Sequence, residues 1–169
     1  MRLALRLLAL PLAIAGCGMS SDPGTPMTTH MGMVTDDLAS VMTESGTHKT
    51  AVAGAAKVTD LPALESAHLA KITPYLDDTK TMCVLMKDTC MNAAGLMADT
   101  KPMADLADQM KQEWANHNAA MAAAADLAAA ATEETRHQAA VADFQAKMSA
   151  KQAALAPTEA GYTCTPHMH

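Results

Sequence analysis

Glutamate and histidine are the residues of this chain whose types and spacing suit chemistry. Glu44-x3-His48 is followed by Glu65-x2-His68; 69 residues further on, without a gap, come Glu113-x3-His117 and Glu134-x2-His137. Only six Glu and seven His occur in the chain, so this register takes four of each. A Glu and a His three or four residues apart share one face of a helix. Their carboxylate and imidazole donors suit a transition-metal ion, and iron, zinc and copper all accept such a set. The same groups can instead bond one another as a polar layer that sets helix register. Around them Ala51, Ala53, Ala55 and Ala56 match Ala120, Ala122, Ala124 and Ala125, while Ile72 and Tyr75 match Val141 and Phe144. The repeat predicts two similar helical hairpins.

The elements that position these residues are helices. From about Thr35 the chain is rich in Ala, Leu, Met, Lys and Glu, all strong helix formers, and carries no strand signal. The expected fold is all-α, a four-helix bundle over residues 35–156. The first helix is expected from Asp36 to about Ala56. Asp60 before Leu61-Pro62 opens the second. Pro74 should kink or split it, with helix resuming at Thr73-Pro74 and running past Met86 toward Met97. Asp99-Thr100-Lys101-Pro102 opens the third. Between the third and fourth there is neither Gly nor Pro, only Asp126 and Thr132 as caps, yet the repeat demands a turn between Ala124 and Thr132. The histidines fall inside apolar stripes such as Met103, Leu106, Met110, His117 and Met121, so their rings need buried partners. Residues 157–169 read as an irregular tail.

At the N-terminus, basic residues and an apolar run ending at Ile14 precede Ile14-Ala15-Gly16-Cys17. This tetrapeptide resembles the lipobox of bacterial lipoproteins. The resemblance implies that residues 1–16 are a signal peptide and that Cys17 carries a diacylglycerol thioether and a further acyl chain such as palmitate. Two or more chains anchor stably. An ordinary secretory signal is the alternative. Gly18, rather than Asp, follows the cysteine, which implies the outer membrane of a Gram-negative cell, facing the periplasm. Residues 17–34, rich in Gly, Ser, Thr and Pro, then read as a flexible tether. Loss of Arg2 and Arg6 with the signal leaves 10 of the 12 Lys and Arg against 18 Asp and Glu. That excess of acid excludes nucleic acid as a partner and favours a cation. The sequence names no protein partner; the membrane is reached through the anchor.

Read in order, the repeat gives one Glu, then Glu-x-x-His, twice over. This resembles the ligand order of ferritin-like di-metal carboxylate bundles. The resemblance makes Glu44 and Glu113 the single carboxylates, with Glu65/His68 and Glu134/His137 as the paired motifs. It leaves His48 and His117 as extras, and only 20 residues separate the first Glu from its pair. An oxidase of two irons and O2 would need the paired motifs to converge.

Soft donors form a second group. His30-Met31-Gly32-Met33 and His167-Met168-His169 resemble the Met/His motifs of periplasmic copper handlers, and Met82-Cys83, Met86 and Cys90 add sulfur along one helix. Methionine is also a common core filler. With Cys17 acylated, three cysteines remain. On a continuous helix Cys83 and Cys90 lie about 10.5 Å apart, too far for a bridge. Either Cys164 loops back to pair with Cys90 or Cys83, the favoured solution, or the helix breaks near Lys87-Asp88-Thr89. No CxxC zinc motif, haem motif, phosphate-binding glycine loop or nucleophile elbow occurs. The leading expectation is a metal-binding envelope lipoprotein without a recognisable catalytic motif. The rival is a structural or interaction lipoprotein whose Glu/His layer only sets register.

Overall fold

The computed structural model describes residues 25–165; Cys17, the signal segment and His167-Met168-His169 lie outside it. The fold is an all-α four-helix bundle: α1 (Met27–Ala53), α2 (Leu61–Thr89), α3 (Lys101–Ala122) and α4 (Leu127–Glu159). Each helix packs on the next, and α1 closes the ring against α4. No helix among the described residues is long and apolar enough to cross a membrane.

The expected tether ends earlier than its composition suggests. Helix α1 starts at Met27, capped by an extended Pro26, and not near Asp36. Met27, His30, Met31 and Val34 are buried at helical spacing, so core contact overrides the weak propensities of Thr28, Thr29 and Gly32. Pro74 lies inside α2 without ending it. The second helix stops at Thr89, well short of Met97, because Cys90 turns extended and Asn92 to Leu96 form a tight loop. Asn92 Oδ1 accepts from the amides of Ala94 and Leu96, and Gly95 supplies the positive φ of 79° that the loop needs.

The tail is also more ordered than its composition suggests. Helix α4 continues through Pro157 to Glu159, and Tyr162–Cys164 then form a strand. This strand, β3, lies antiparallel between β1 (Thr25–Pro26) and β2 (Cys90–Asn92). Three such short strands leave no alternating pattern, which is why the sequence carried no strand signal. A disulfide joins Cys90 to Cys164 across the β2–β3 pair, and Cys83 remains a free, buried thiol. The sheet closes one end of the bundle.

The other end holds the two hairpin turns, and they are copies. Gly54 donates to the carbonyls of Thr50 and Ala51, and Ala55 to Val52; Ala123 donates to Ala119 and Ala120, and Ala124 to Met121. Every partner is shifted by the repeat distance. Gly54 has φ −89° and Ala123 φ −92°, so the turn needs no left-handed residue and alanine suffices. In the second turn Asp126 accepts the amide of Ala129 at 2.8 Å and starts α4. Val52, Leu61, Met121 and Ala130 form a small apolar cluster that seals this end. The remaining core, from Met27 and Met148 to Trp114 and Phe144, is continuous below it.

Candidate metal centre

The apolar stripes turn the repeated residues inward beneath the sealed end. His48, Glu65, His68, His117, Glu134 and His137 are all buried, each 5% exposed or less. Glu44 and Glu113 stay at the rim with side chains 16% and 21% exposed, each in a surface groove. The two hairpins are thus related by an approximate twofold axis through the layer.

His48 and His117 meet at the centre, Nε2 to Nε2, at 3.4 Å. Glu65 reaches both rings, Oε1 at 3.1 Å from His48 Nε2 and Oε2 at 3.5 Å from His117 Nε2. Glu134 Oε2 lies 3.3 Å from each of the same nitrogens. His48, His117 and Glu134 each offer a donor atom within 4.8 Å of the others. Yet neither Glu65 Oε1 nor Glu134 Oε2 has a well-aligned hydrogen bond, although both are buried. The atoms crowd one point rather than pairing off.

Glu44 and His48, four apart on one helix, do not bond each other. His48 turns to the centre, and Glu44 reaches across to His68 Nδ1 at 3.3 Å. Glu113 does the same to His137 Nδ1 at 3.3 Å. Glu44 and Glu113, the single carboxylates of the ferritin-like order, thus bond His68 and His137 from the rim, while His48 and His117 take the centre. A third carboxylate, Glu133, accepts from His117 Nδ1 at 3.1 Å. A carboxylate accepts, so in all three pairs Nδ1 carries a proton. Metal-binding histidines likewise donate one ring N–H to a carboxylate and leave the other nitrogen for the ion. His68 and His137 stack on His48 and His117 with ring centroids 4.0 and 3.9 Å apart, and their own Nε2 atoms are buried without partners.

Charge is distributed unevenly through the layer. Burial disfavours a proton on His48, but the carboxylates of Glu134 and Glu65 outweigh it and raise the ring to about 9. Burial and the neighbouring charge of His48 push His68 down to about 4, and burial with His117 does the same to His137. Burial resists charge on Glu134, yet His117, His48 and Gln138 hold it well below the usual carboxylate range. Arg136, then His117, hold Glu133 at about 2.

Four participants were not legible in the repeat because their counterparts differ. Glu133 matches Leu64, Arg136 matches Ala67, Gln138 matches Leu69 and Trp114 matches Ser45. Trp114 wedges between His68 and His137, with centroids 4.4 and 4.1 Å away. Gln138 donates to Glu134 Oε1 at 2.7 Å and to Ser45 at 3.1 Å, joining the halves. The Glu133-Glu134 doublet and the lone Trp beside Glu113 were the signals available. No protein-family model matches the chain, no curated protein is similar to it, and no solved structure matches it.

Proposed function

We propose that this protein is a lipid-anchored, periplasm-facing bundle that binds one divalent transition-metal ion between its two hairpins. His48 and His117 supply nitrogen, and Glu134 and Glu65 supply oxygen. Glu44, Glu113 and Glu133 orient imidazoles, while His68 and His137 pack against the two ligand rings. The observation that carries this reading is convergence: two buried carboxylate oxygens crowd the same imidazole nitrogens out of line for hydrogen bonding, with a proton on His48 offsetting their charge when no metal is bound. Such groups are costly to bury unless something charged sits among them.

Two carboxylates neutralise a divalent charge, and two imidazoles complete a mixed N/O shell that zinc, iron or copper(II) accepts. His48 Nε2, His117 Nε2 and Glu134 Oε2 form a triangle with edges of 3.3, 3.3 and 3.4 Å, and Glu65 Oε1 stands 3.1 Å from His48 Nε2. Bonds of about 2.0–2.1 Å in a tetrahedron require edges of about 3.3 Å, which favours zinc. A two-metal oxidase fits less well. Its ions stand about 3.5–4 Å apart, each needing its own imidazole, whereas His48 and His117 point at one place.

The test is loading of purified protein with zinc, iron and copper(II), followed by elemental analysis. About one ion per chain is expected, lost in Glu65→Ala/Glu134→Ala. Protein that stays metal-free after all three loadings would leave only a polar layer setting register. The anchor is tested separately: labelled palmitate should enter the wild type and not Cys17→Ala, and label in both would reject Cys17 as the acylated residue.

A further inference from the structure

The sheet end of the bundle carries donors of a different kind. His30 is nine-tenths buried, and its Nδ1 has no hydrogen-bond partner. Cys83 is a fully buried free thiol. A core layer built only for packing has no use for an imidazole nitrogen sealed away without a partner.

The helix register sets these two at one level of the bundle. The contacts Glu44–His68 and His48–Glu65 fix how α1 and α2 run antiparallel. At the far end, Thr25 and Cys90 flank Cys164 on opposite sides, which fixes nearly the same register independently. Carried along the pair, it sets His30 level with Cys83 and Met27 level with Met86. All four lie on the buried faces of their helices. Met27, Cys83 and Met86 belong to one core cluster.

We propose that His30, Cys83, Met27 and Met86 form a second metal site, specific for Cu(I), at the end of the bundle opposite the Glu/His centre. Thiolate and thioether sulfur select soft Cu(I), and a neutral imidazole is compatible with it. Burial keeps His30 neutral by lowering its pKa, so its nitrogen is available. Burial also pushes the Cys83 thiol up to about 12, so the ion must displace a proton. Binding replaces the S–H bond with an S–Cu bond and releases one proton to solvent. Copper enters and remains as Cu(I), and no electron moves. The site contains no carboxylate, which separates it chemically from the divalent centre.

The test is anaerobic titration of the full-length protein with Cu(I), kept reduced by ascorbate, against a chromophoric Cu(I) chelator. One tight equivalent is expected. His30→Leu and Cys83→Ala should each weaken it at least tenfold, leaving zinc binding at the other centre unchanged. Glu65→Gln/Glu134→Gln should lose zinc and keep Cu(I), so failure of one site is distinguishable from failure of the other. Should either core variant not fold, the near-isosteric Met86→Leu serves, with at least tenfold weakening expected. In wild type, Cu(I) should shift the methyl carbon resonances of Met27 and Met86 and leave Met121 in place. The proposal is overturned by wild type that takes no Cu(I), by unchanged affinity in His30→Leu or Cys83→Ala, by unshifted Met27 and Met86 methyls, or by Cu(I) lost with Glu65→Gln/Glu134→Gln.

Discussion

The first hairpin and the second bring the same Glu and His residues to one layer, but they hold them differently. In the second, Arg136 grips both Glu113 and Glu133, Glu133 fixes the His117 ring, and Gln138 ties down Glu134. In the first, Leu64, Ala67 and Leu69 occupy those places, and Lys71 bonds Glu44 from solvent. The four Glu and four His of the repeat are shared, with Glu44 and Glu113 bonding His68 and His137 alike, whereas Glu133, Arg136, Gln138 and Trp114 have no counterpart in the first hairpin. The difference suggests that the centre constrains both halves through one geometry, while support from either side is enough to hold a layer whose rings stack on one another.

The comparison breaks most severely if the central carboxylates are not equivalent. Glu65→Gln and Glu134→Gln should each weaken zinc at least a hundredfold by calorimetry. Without metal, each should also let the His48 pKa fall from about 9. An unmoved His48 resonance titration in both variants would show that these carboxylates do not set its charge.

Support is tested next. Glu133→Leu makes the second hairpin resemble the first at that position and removes the acceptor of His117 Nδ1. Loss of such an orienting partner costs roughly 10–100-fold in metal affinity. Equal zinc affinity in chelator competition would mean that stacking alone orients the ring.

The pH profile separates the outer histidines from the central one. His68 and His137 fall to about 4 from 6.5, so their contribution to stability is complete above pH 6.5 and is lost as pH drops toward 4. His48 rises to about 9, so its contribution is complete below pH 6.5 and is lost as pH climbs toward 9. Taken together, these three groups give metal-free protein its greatest stability to urea near pH 6.5. Zinc should abolish the alkaline decline, because the ion replaces the proton on His48. Trp114 fluorescence reports the acid side directly, since the indole touches both outer rings. Constant stability of the metal-free protein from pH 6.5 to 9 would contradict the assignment of His48.

The smallest effect concerns the turns. Gly54→Ala copies Ala123 into the first turn; a Cβ there meets only Thr50 and Ala51 carbonyls at 3.5 and 3.6 Å, ordinary contacts. Stabilisation of about 0.4–1 kcal/mol is expected from reduced freedom of the unfolded chain. A drop in the urea midpoint would show that the two turns are not interchangeable.

Much of this architecture was legible because it is periodic. Apolar spacing announced the helices, and the offset between Glu44 and Glu113 announced two hairpins and the Glu and His residues they bring to one layer. Local signals failed where long-range contacts decided the outcome. Burial of Met27 and Met31 drew residues 27–34 into α1 despite Thr and Gly. The strand at Tyr162–Cys164 exists because two other segments flank it.

By itself, then, the sequence determined an all-α chain, a doubled motif, and which helix face carries the histidines, since side-chain direction on a helix follows from spacing. Only the tertiary structure decided that Glu44 serves His68 rather than His48, that His48 and His117 face each other, and that Glu133, Trp114 and Gln138 join the layer. Those choices depend on the level and rotation of one helix against another, quantities set by packing across the bundle and invisible in any single segment.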